Sequence, residues 1–202
     1  MLCLKMPTDG GWAMAAARDA NAILVDHAHC EMKAATNALS LAMRHSGDLD
    51  LVLALSALAR EEIEHFGRVV AVLAERGVAL GPPKVDEYAA ELRRATAALP
   101  RSSVPPLVDR LLVGALIEAR SCERFQLLAA ATDDEDLRAL WTDLLASEAR
   151  HYRTFVDLAV RAAGGDRARV VARLDDLASL EGAIVTRLAE QGAEFPRASI
   201  HG

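Results

Sequence analysis

The sequence has few aromatic residues and is rich in small and aliphatic ones. Tryptophan, tyrosine and phenylalanine make up only 4% of its 202 residues, while hydrophobic residues as a whole make up 52%. Most of the apolar material is therefore alanine, leucine and valine, and the first two of these are strong helix formers. The composition predicts an all-α protein, and the length predicts one globular domain over residues 1–202 with a sizeable core.

Cysteine and long apolar runs are also scarce. Cys3, Cys30 and Cys122 are odd in number and far apart, which argues against a disulfide framework and against a Cys-x-x-Cys site. Buried structural roles are the better interpretation for Cys30 and Cys122. No stretch reaches the apolar length of a membrane span, and the N-terminal segment lacks the apolar region of a secretory signal. We therefore expect a cytoplasmic protein with no membrane partner.

Positive charge is not in excess. The formal net charge is −6, with 23 lysines and arginines against 29 aspartates and glutamates. Such a balance gives no global attraction to nucleic acid or to anionic membranes. A nucleic-acid partner would therefore need a local basic patch.

What the sequence does contain is a repeated pattern of glutamate and histidine. A single glutamate is followed about 30 residues later by Glu-x-x-His, in which residues i and i+3 share one face of a helix. One such motif is common by chance, but two copies with matched spacing are not. Four carboxylates and two imidazoles are the ligand set of a ferritin-like bundle that holds two iron or two manganese ions. The predicted metal ligands are Glu31, Glu62, His65, Glu118, Glu148 and His151.

Turn signals place these residues on two helical hairpins. The pattern predicts long helices from Trp12 or Arg18 to His45, from Asp48 to Arg76, from Pro105 to about Ala131, and from the Thr132-Asp133-Asp134 turn to about Ala163. A short helix is expected near Val85 to Ala98, and one or two more between Asp166 and Gln191. This order predicts a ferritin-like four-helix bundle with one long crossover and extra C-terminal helices.

Distances from the predicted turns support the choice of ligands. Glu31 and Glu62 lie almost equally far from Gly47 along the chain, one before it and the other after it. The two carboxylates of the second hairpin lie equally far to either side of Asp133. Since helices rise by a fixed amount per residue, equal distances place all four carboxylates at one level. Glu123 would lie about 7 Å away from that level, which favours Glu118.

Several neighbours of the predicted ligands have more than one interpretation. His27 lies one turn before Glu31 on the same face of the helix. It could donate a hydrogen bond to a ligand, line a substrate channel, or be a structural histidine. Further candidates for a hydrogen bond to a ligating histidine are Asp26, Arg120 and Glu123.

Tyr152 directly follows a predicted ligand, but adjacent helical residues point about 100° apart, so a packing role is favoured. The arginines form a loose pattern that is typical of solvated helix surface. Only their convergence near the mouth of the site would make a phosphate-binding patch. These arginines are Arg93, Arg94, Arg101, Arg150, Arg153, Arg161, Arg167, Arg169 and Arg173.

Five segments carry a more specific signal than the ligand pattern. They are Cys3-Leu-Lys with Pro7-Thr-Asp, Ile23-Leu-Val-Asp-His-Ala-His-Cys-Glu31, Ala59-Arg-Glu-Glu62, Leu111-Leu-Val-Gly-Ala-Leu-Ile-Glu-Ala-Arg-Ser-Cys-Glu-Arg-Phe125 and Ser147-Glu-Ala-Arg-His151. Together they resemble the MiaE family of tRNA-(2-methylthio-N6-isopentenyladenosine) hydroxylases. The resemblance covers most of the chain through about Ala159.

The resemblance implies O₂-dependent hydroxylation of the isopentenyl group on the hypermodified adenosine next to the anticodon. The implied cofactors are two iron ions, O₂ and an external electron donor, although manganese accepts the same ligand set. The implied partners are tRNA with an isopentenylated anticodon loop and an unidentified reductant, and we expect a monomer or small homo-oligomer.

Two alternatives stay open at this point. One is a ferritin-like iron oxidase or iron-handling protein. The other is a peroxide-consuming protein, which is weakened because the chain lacks the paired Cys-x-x-Cys motifs of a rubredoxin module.

Overall fold

The structure, a computed structural model, describes residues 2–100 and 104–192, so Arg101 lies outside it. Within the described residues the regular secondary structure is entirely helical, which confirms the all-α class. No helix in these two ranges combines the length and apolar character needed to cross a membrane. The helices are α1 (Gly10–Arg18), α2 (Ala20–Arg44), α3 (Leu49–Glu75), α4 (Glu87–Ala98), α5 (Pro106–Ala131), α6 (Glu135–Ala162) and α7 (Arg167–Gly192).

The chain leaves helical geometry at Asp19, so a long first helix that begins at Trp12 is wrong, whereas a start near Arg18 is close. Asp19 has φ −128° and ψ 61°, and its carboxylate accepts a hydrogen bond from the Ala22 N–H. Such an N-cap satisfies a backbone donor that the first turn of a helix leaves open. Residues 10–44 therefore form α1 and α2 rather than one continuous helix.

Side-chain caps and one glycine fix several further helix ends. Gly77 has φ 66°, the left-handed conformation that glycine adopts at no steric cost. Its N–H donates to the Ala74 carbonyl, and the Val78 N–H donates to the Leu73 carbonyl, which closes α3 as expected. The carboxylates of Asp48, Asp86 and Asp134 cap the N-termini of α3, α4 and α6, where they accept hydrogen bonds from backbone N–H groups.

The described residues divide into two compact units, and the single domain expected for residues 1–202 stays a prediction. One unit, Arg18–Val85, contains the hairpin of α2 and α3 and the first part of the crossover. The Lys33 ammonium group donates to the Lys84 carbonyl at 2.9 Å and fastens the crossover to α2. The core of this unit includes Ile23, Leu24, Leu51, Leu55 and Leu73, all 2% exposed or less.

The other unit consists of residues 2–17 and the described residues from 86 onward, with α1, α4, α5, α6 and α7. The rings of Phe125 on α5 and Trp141 on α6 stack with centroids 5.5 Å apart. Gly114 on α5 faces the ring of Phe155 on α6, and a Cβ added there would lie 3.0 Å from it. The helices of this pair therefore pack closely one turn from Glu118. The C-terminal region is one continuous helix, α7, where one or two were expected.

A fully buried arginine on α5 joins the N-terminal segment to α7. The Arg120 guanidinium donates to both Glu181 carboxylate oxygens at 2.9 Å and to the Met6 carbonyl at 3.0 Å. It also donates to the Thr8 hydroxyl at 3.2 Å and to the Glu123 carboxylate. The N-terminal segment, α5 and α7 are therefore fixed by one side chain.

This network extends to α4 and α1. The Tyr88 hydroxyl donates to Glu181 at 3.0 Å, and both side chains are 0% exposed. Burial raises the pKa of Glu181, although Arg120 opposes the shift. Arg124 lies over the Trp12 ring, 4.9 Å from its centroid, and burial together with the charge of Arg120 lowers its pKa to about 10.

We expect Arg120→Met to destabilise the protein by about 3–5 kcal/mol, because it leaves the Glu181 carboxylate buried without its cation. Chemical unfolding followed by circular dichroism measures the change. Adding Glu181→Gln should recover part of the loss, because it removes the buried charge. Arg167→Met is the control, since Arg167 pairs with Asp157 at the surface and should contribute less than about 1 kcal/mol. Equal losses in both single variants would contradict the assignment.

We expect Gly114→Ala to destabilise the protein by about 1–3 kcal/mol, because its methyl group would push against the Phe155 ring. Gly67→Ala is the matched control, since Gly67 is an exposed helical glycine on α3 with no atom within 4 Å of an added Cβ. This control should gain about 0.5–1 kcal/mol from helix propensity. The same unfolding measurement would refute the close packing if both variants gained stability.

Candidate metal centre

The Arg18–Val85 unit brings three of the predicted ligands together. Glu31 on α2 and Glu62 and His65 on α3 each offer a ligand atom, and these atoms lie within 4.8 Å of one another. His65 Nδ1 is 3.7 Å from Glu31 Oε1 and 3.6 Å from Glu62 Oε2. All three residues are at most 5% exposed. The hairpin thus presents two carboxylates and one imidazole at a common, buried point.

The helical repeat explains why these polar side chains are buried. Glu62 and His65 continue a stripe on α3 whose other members are apolar, and every residue of the stripe is buried. The members of this stripe are Leu51, Leu55, Leu58, Glu62, His65 and Val69. The apolar residues before and after the ligands hold this face of α3 inward, so the carboxylate and imidazole enter the core with it.

The other unit contains an equivalent group. Glu118 on α5 and Glu148 and His151 on α6 offer ligand atoms that also lie within 4.8 Å of one another. Their side chains are 5%, 4% and 3% exposed. Leu144 and Phe155 flank the two α6 ligands on the same buried face. Each hairpin therefore presents one glutamate and one Glu-x-x-His motif in the same way.

Cys122 lies one turn after Glu118 and is buried. Burial raises the pKa of its thiol to about 12, with a further contribution from the charge of Glu148. The thiol lies 3.8 Å from the Leu145 carbonyl. Cys3, Cys30 and Cys122 form no disulfide, and the burial of Cys30 and Cys122 agrees with the structural interpretation of both.

Arg120 and Glu123 do not contact a predicted ligand, so the expected hydrogen bond to a ligating histidine is wrong for both. The Glu123 carboxylate accepts hydrogen bonds from the Thr8 hydroxyl at 2.7 Å and from Arg120. Helical geometry explains the difference, because residue 120 points about 200° away from residue 118 around α5. The Cys30 thiol donates to Asp26 Oδ2 at 3.9 Å.

His27 is the residue near the site that the predicted ligand set leaves out. It is 3% exposed, and its Nε2 lies 2.7 Å from Glu31 Oε1. Burial raises the pKa of Glu31, but the contacts with His27, Glu62 and His65 outweigh it and lower that pKa to about 2. The i, i+4 spacing was the only sequence signal for this contact, and it also fitted two other roles.

The structure agrees with the prediction for Tyr152 but not with the prediction for Arg173. Tyr152 lies beside the Cys3 thiol in the N-terminal segment, and burial raises the pKa of Tyr152 above its usual value. This contact agrees with a packing role. Arg173 was expected on the solvated helix surface, but it is only 9% exposed. Its guanidinium donates to both Asp109 carboxylate oxygens, at 2.7 and 2.9 Å.

The donor set fits hard metal ions. Carboxylate oxygens and imidazole nitrogens suit iron and manganese, whereas copper and zinc sites favour softer donors. Carboxylates this close together and this deeply buried repel one another unless cations or protons lie between them. The residues present therefore fit a cationic metal centre.

Comparison with known proteins identifies a family and a similar solved structure, and these matches cover nearly the whole chain or all of it. The sequence profile of the family described as "tRNA-(MS[2]IO[6]A)-hydroxylase (MiaE)" matches residues 1–194. A solved structure, "Protein 43 with aldehyde deformylating oxygenase activity from Synechococcus", superimposes with a TM-score of 0.87 and 37% identity. The match covers 100% of this chain and 96% of that one. The expected ferritin-like fold class is thereby confirmed.

Two curated relatives carry the name "tRNA 2-(methylsulfanyl)-N(6)-isopentenyladenosine(37) hydroxylase". The protein from Pseudomonas putida is 46% identical over 157 residues, which is 77% of this chain and 74% of the relative. The protein from Salmonella typhimurium is 30% identical over an alignment of 213 positions, gaps included, which covers 81% of this chain and 77% of the relative. With the family profile spanning residues 1–194, these matches show that the chain belongs to the MiaE family of tRNA-(MS[2]IO[6]A)-hydroxylases.

Proposed function

We propose that this chain is a di-iron monooxygenase that hydroxylates the isopentenyl group of the hypermodified adenosine next to the anticodon in tRNA. One observation carries the metal chemistry: each hairpin presents a glutamate and a Glu-x-x-His motif, buried, with donor atoms within 4.8 Å. The family description and the names of the two relatives support the substrate.

The six predicted ligands would hold two iron ions as the two Glu-x-x-His hairpins of a ferritin-like protein do. Glu31, Glu62 and His65 of the first hairpin and Glu118, Glu148 and His151 of the second would be the metal ligands, two carboxylates and one imidazole from each. Manganese is the competing occupant, because it accepts the same oxygen and nitrogen donors.

Two ferrous ions bound there would supply the reduction of O₂, so that one oxygen atom enters a C–H bond of the isopentenyl group and the other leaves as water. The overall balance needs two electrons and two protons, which an external reductant would deliver. The chain contributes exclusion of water, because all six ligand residues are 5% exposed or less. Burial raises the pKa of the Cys122 thiol, which disfavours its nucleophilic thiolate form.

The tRNA contacts must be local, because the net charge is −6. Arg150 and Arg153 are exposed on α6 on either side of His151 in sequence, and we propose them as phosphate contacts. The modified base would be splayed out of the anticodon loop to bring its isopentenyl group to the centre. We place this reaction in the cytoplasm and expect a monomer or small homo-oligomer.

We expect Glu62→Ala to lose bound iron and to lower hydroxylation at least about 100-fold, more than removing a neighbour of a ligand would. The control is Glu64→Ala, because Glu64 is exposed on the same helix and pairs loosely with Arg60. The measurement is mass-spectrometric nucleoside analysis of tRNA from a host that makes the isopentenylated base but cannot hydroxylate it. Iron content per chain is measured on the same preparations.

A Glu62→Ala variant that keeps two irons and full hydroxylation would overturn the assignment. Wild-type protein that binds two irons but forms no hydroxylated nucleoside would instead favour the iron-handling alternative. That alternative also requires a large assembly on size exclusion and oxidation of many more than two Fe²⁺ per chain. A monomer or dimer that stops at two irons would exclude it.

A further inference from the structure

The charges on the outward face of α6 change sign along the helix. In its first half the exposed charged residues are all acidic, and they are Glu135, Asp136 and Asp143. In its second half three of the four exposed charged residues are arginines, and these four are Arg150, Arg153, Asp157 and Arg161. We call the three arginines the basic strip. The strip is a local exception in a chain whose formal net charge is −6.

The basic strip forms one row on the back of α6. Its members and Asp157 follow one another at intervals of three or four residues, so they share one face of the helix. The row extends for about 16 Å from Arg150 to Arg161. Arg150 points about 200° away from Glu148, and Arg153 points as far from His151. The row therefore begins at the level of the α6 ligands, on the opposite side of the helix, and continues to the end of α6.

Asp157 interrupts the row, but an arginine from the next helix neutralises it. Gly164 and Gly165, with φ 71° and 89°, turn the chain between α6 and α7. The Arg167 guanidinium at the start of α7 then donates to Asp157 Oδ1 at 2.9 Å. Both side chains are exposed, so the pair contributes little to stability. Its effect is electrostatic, because it cancels the single negative charge of the row.

We infer that the basic strip is a contact surface for the phosphate backbone of RNA, and that Arg167 completes this surface by neutralising Asp157. The inference rests on the proposed function and extends it, since it gives the RNA a path along α6 to the end of the helix. Arginine suits this path because its planar guanidinium donates in pairs to phosphate oxygens. Contacts on the back of α6 hold nucleotides that flank the modified base, so they should change binding and leave the reaction step unchanged.

Two other roles for the same arginines make different predictions. A helix that lies on an anionic membrane exposes large apolar side chains as well as basic ones. None of the exposed large apolar residues in the described part of the chain lies on α6, which favours RNA. Arg161, in the last turn of α6, also complements the negative end of the helix dipole. That role predicts a loss of stability in an Arg161 variant, without a change in RNA affinity.

The test uses the variants Arg161→Gln, Arg167→Gln and Asp157→Asn, each with a control where the chain offers one. Arg187→Gln is the control for Arg167→Gln, because Arg187 lies near the other end of α7 and also pairs with a carboxylate of a neighbouring helix. Asp143→Asn is the control for Asp157→Asn, because it removes the same charge from the acidic half of the same helix.

RNA binding is measured by fluorescence anisotropy on iron-loaded protein without reductant. The probe is an anticodon stem-loop RNA that carries the isopentenylated base, and each titration is repeated at several KCl concentrations. KM and kcat for tRNA hydroxylation are measured on the same preparations. Circular dichroism and thermal unfolding show whether each variant is folded.

We expect Arg161→Gln and Arg167→Gln to weaken RNA binding about 3–10-fold and to make it less dependent on salt. Asp157→Asn should tighten binding, and both controls should bind RNA as the wild type does. KM should follow the affinity, while kcat stays unchanged.

Unchanged RNA affinity in folded Arg161→Gln and Arg167→Gln proteins would overturn the inference. Equal tightening by Asp143→Asn and Asp157→Asn would also overturn it, because it would show an effect of net charge alone. If the arginine variants instead lost binding to phosphatidylserine vesicles and kept their RNA affinity, the surface would be one for membranes. Failure of the proposed function looks different: the variants would change RNA binding as expected, which supports the surface, but the wild-type protein would form no hydroxylated nucleoside.

Discussion

The burial of charged ligand side chains is the constraint on which the rest of the structure depends. Glu62 is 1% exposed, and the other predicted ligands are between 3% and 5% exposed. Carboxylates at such depth destabilise a fold unless a cation, a proton or a strong hydrogen bond compensates them. The apolar stripes of α3 and α6 supply the burial, and metal ions would supply the compensation. Stability and function therefore involve the same side chains, so metal loading should report on both.

Much of this could be predicted from the sequence because its causes are local. The position of Glu62 depends on a helical repeat and on its distance from the turn at Gly47, and both can be counted along the chain. The end of α3 at Gly77 is equally local, since it needs only a residue that tolerates positive φ. The expectation of an enzyme, a tRNA hydroxylase, came from longer matched segments and is confirmed by the family.

The wrong predictions for Arg120 and Glu123 have a long-range cause. Arg120 and Glu123 lie near Glu118 in sequence, but their partners Thr8 and Glu181 lie far from them along the chain, in the N-terminal segment and in α7. No periodicity in α5 predicts such partners, because nearly every face of this helix is buried and burial does not distinguish between them. The helix break at Asp19 has a local cause, because the Asp19 carboxylate caps α2 through the Ala22 N–H. It could not be predicted with certainty, because a lone aspartate between two helical segments is equally compatible with a continuous helix.

The buried polar network of Arg120 and the buried polar group around Glu31 differ in how their charges are balanced. In the network of Arg120 the charges are complementary and the donors are matched by carboxylates, a carbonyl and a hydroxyl, so this network is complete without any ligand. Glu31 interacts instead with the Glu62 carboxylate and with the imidazoles of His27 and His65. These groups cannot balance its negative charge unless they take up protons. A group of this composition has a higher affinity for cations than a matched ion pair does. The first network is therefore suited to hold the N-terminal segment, α5 and α7 together, and the second is suited to bind a cation.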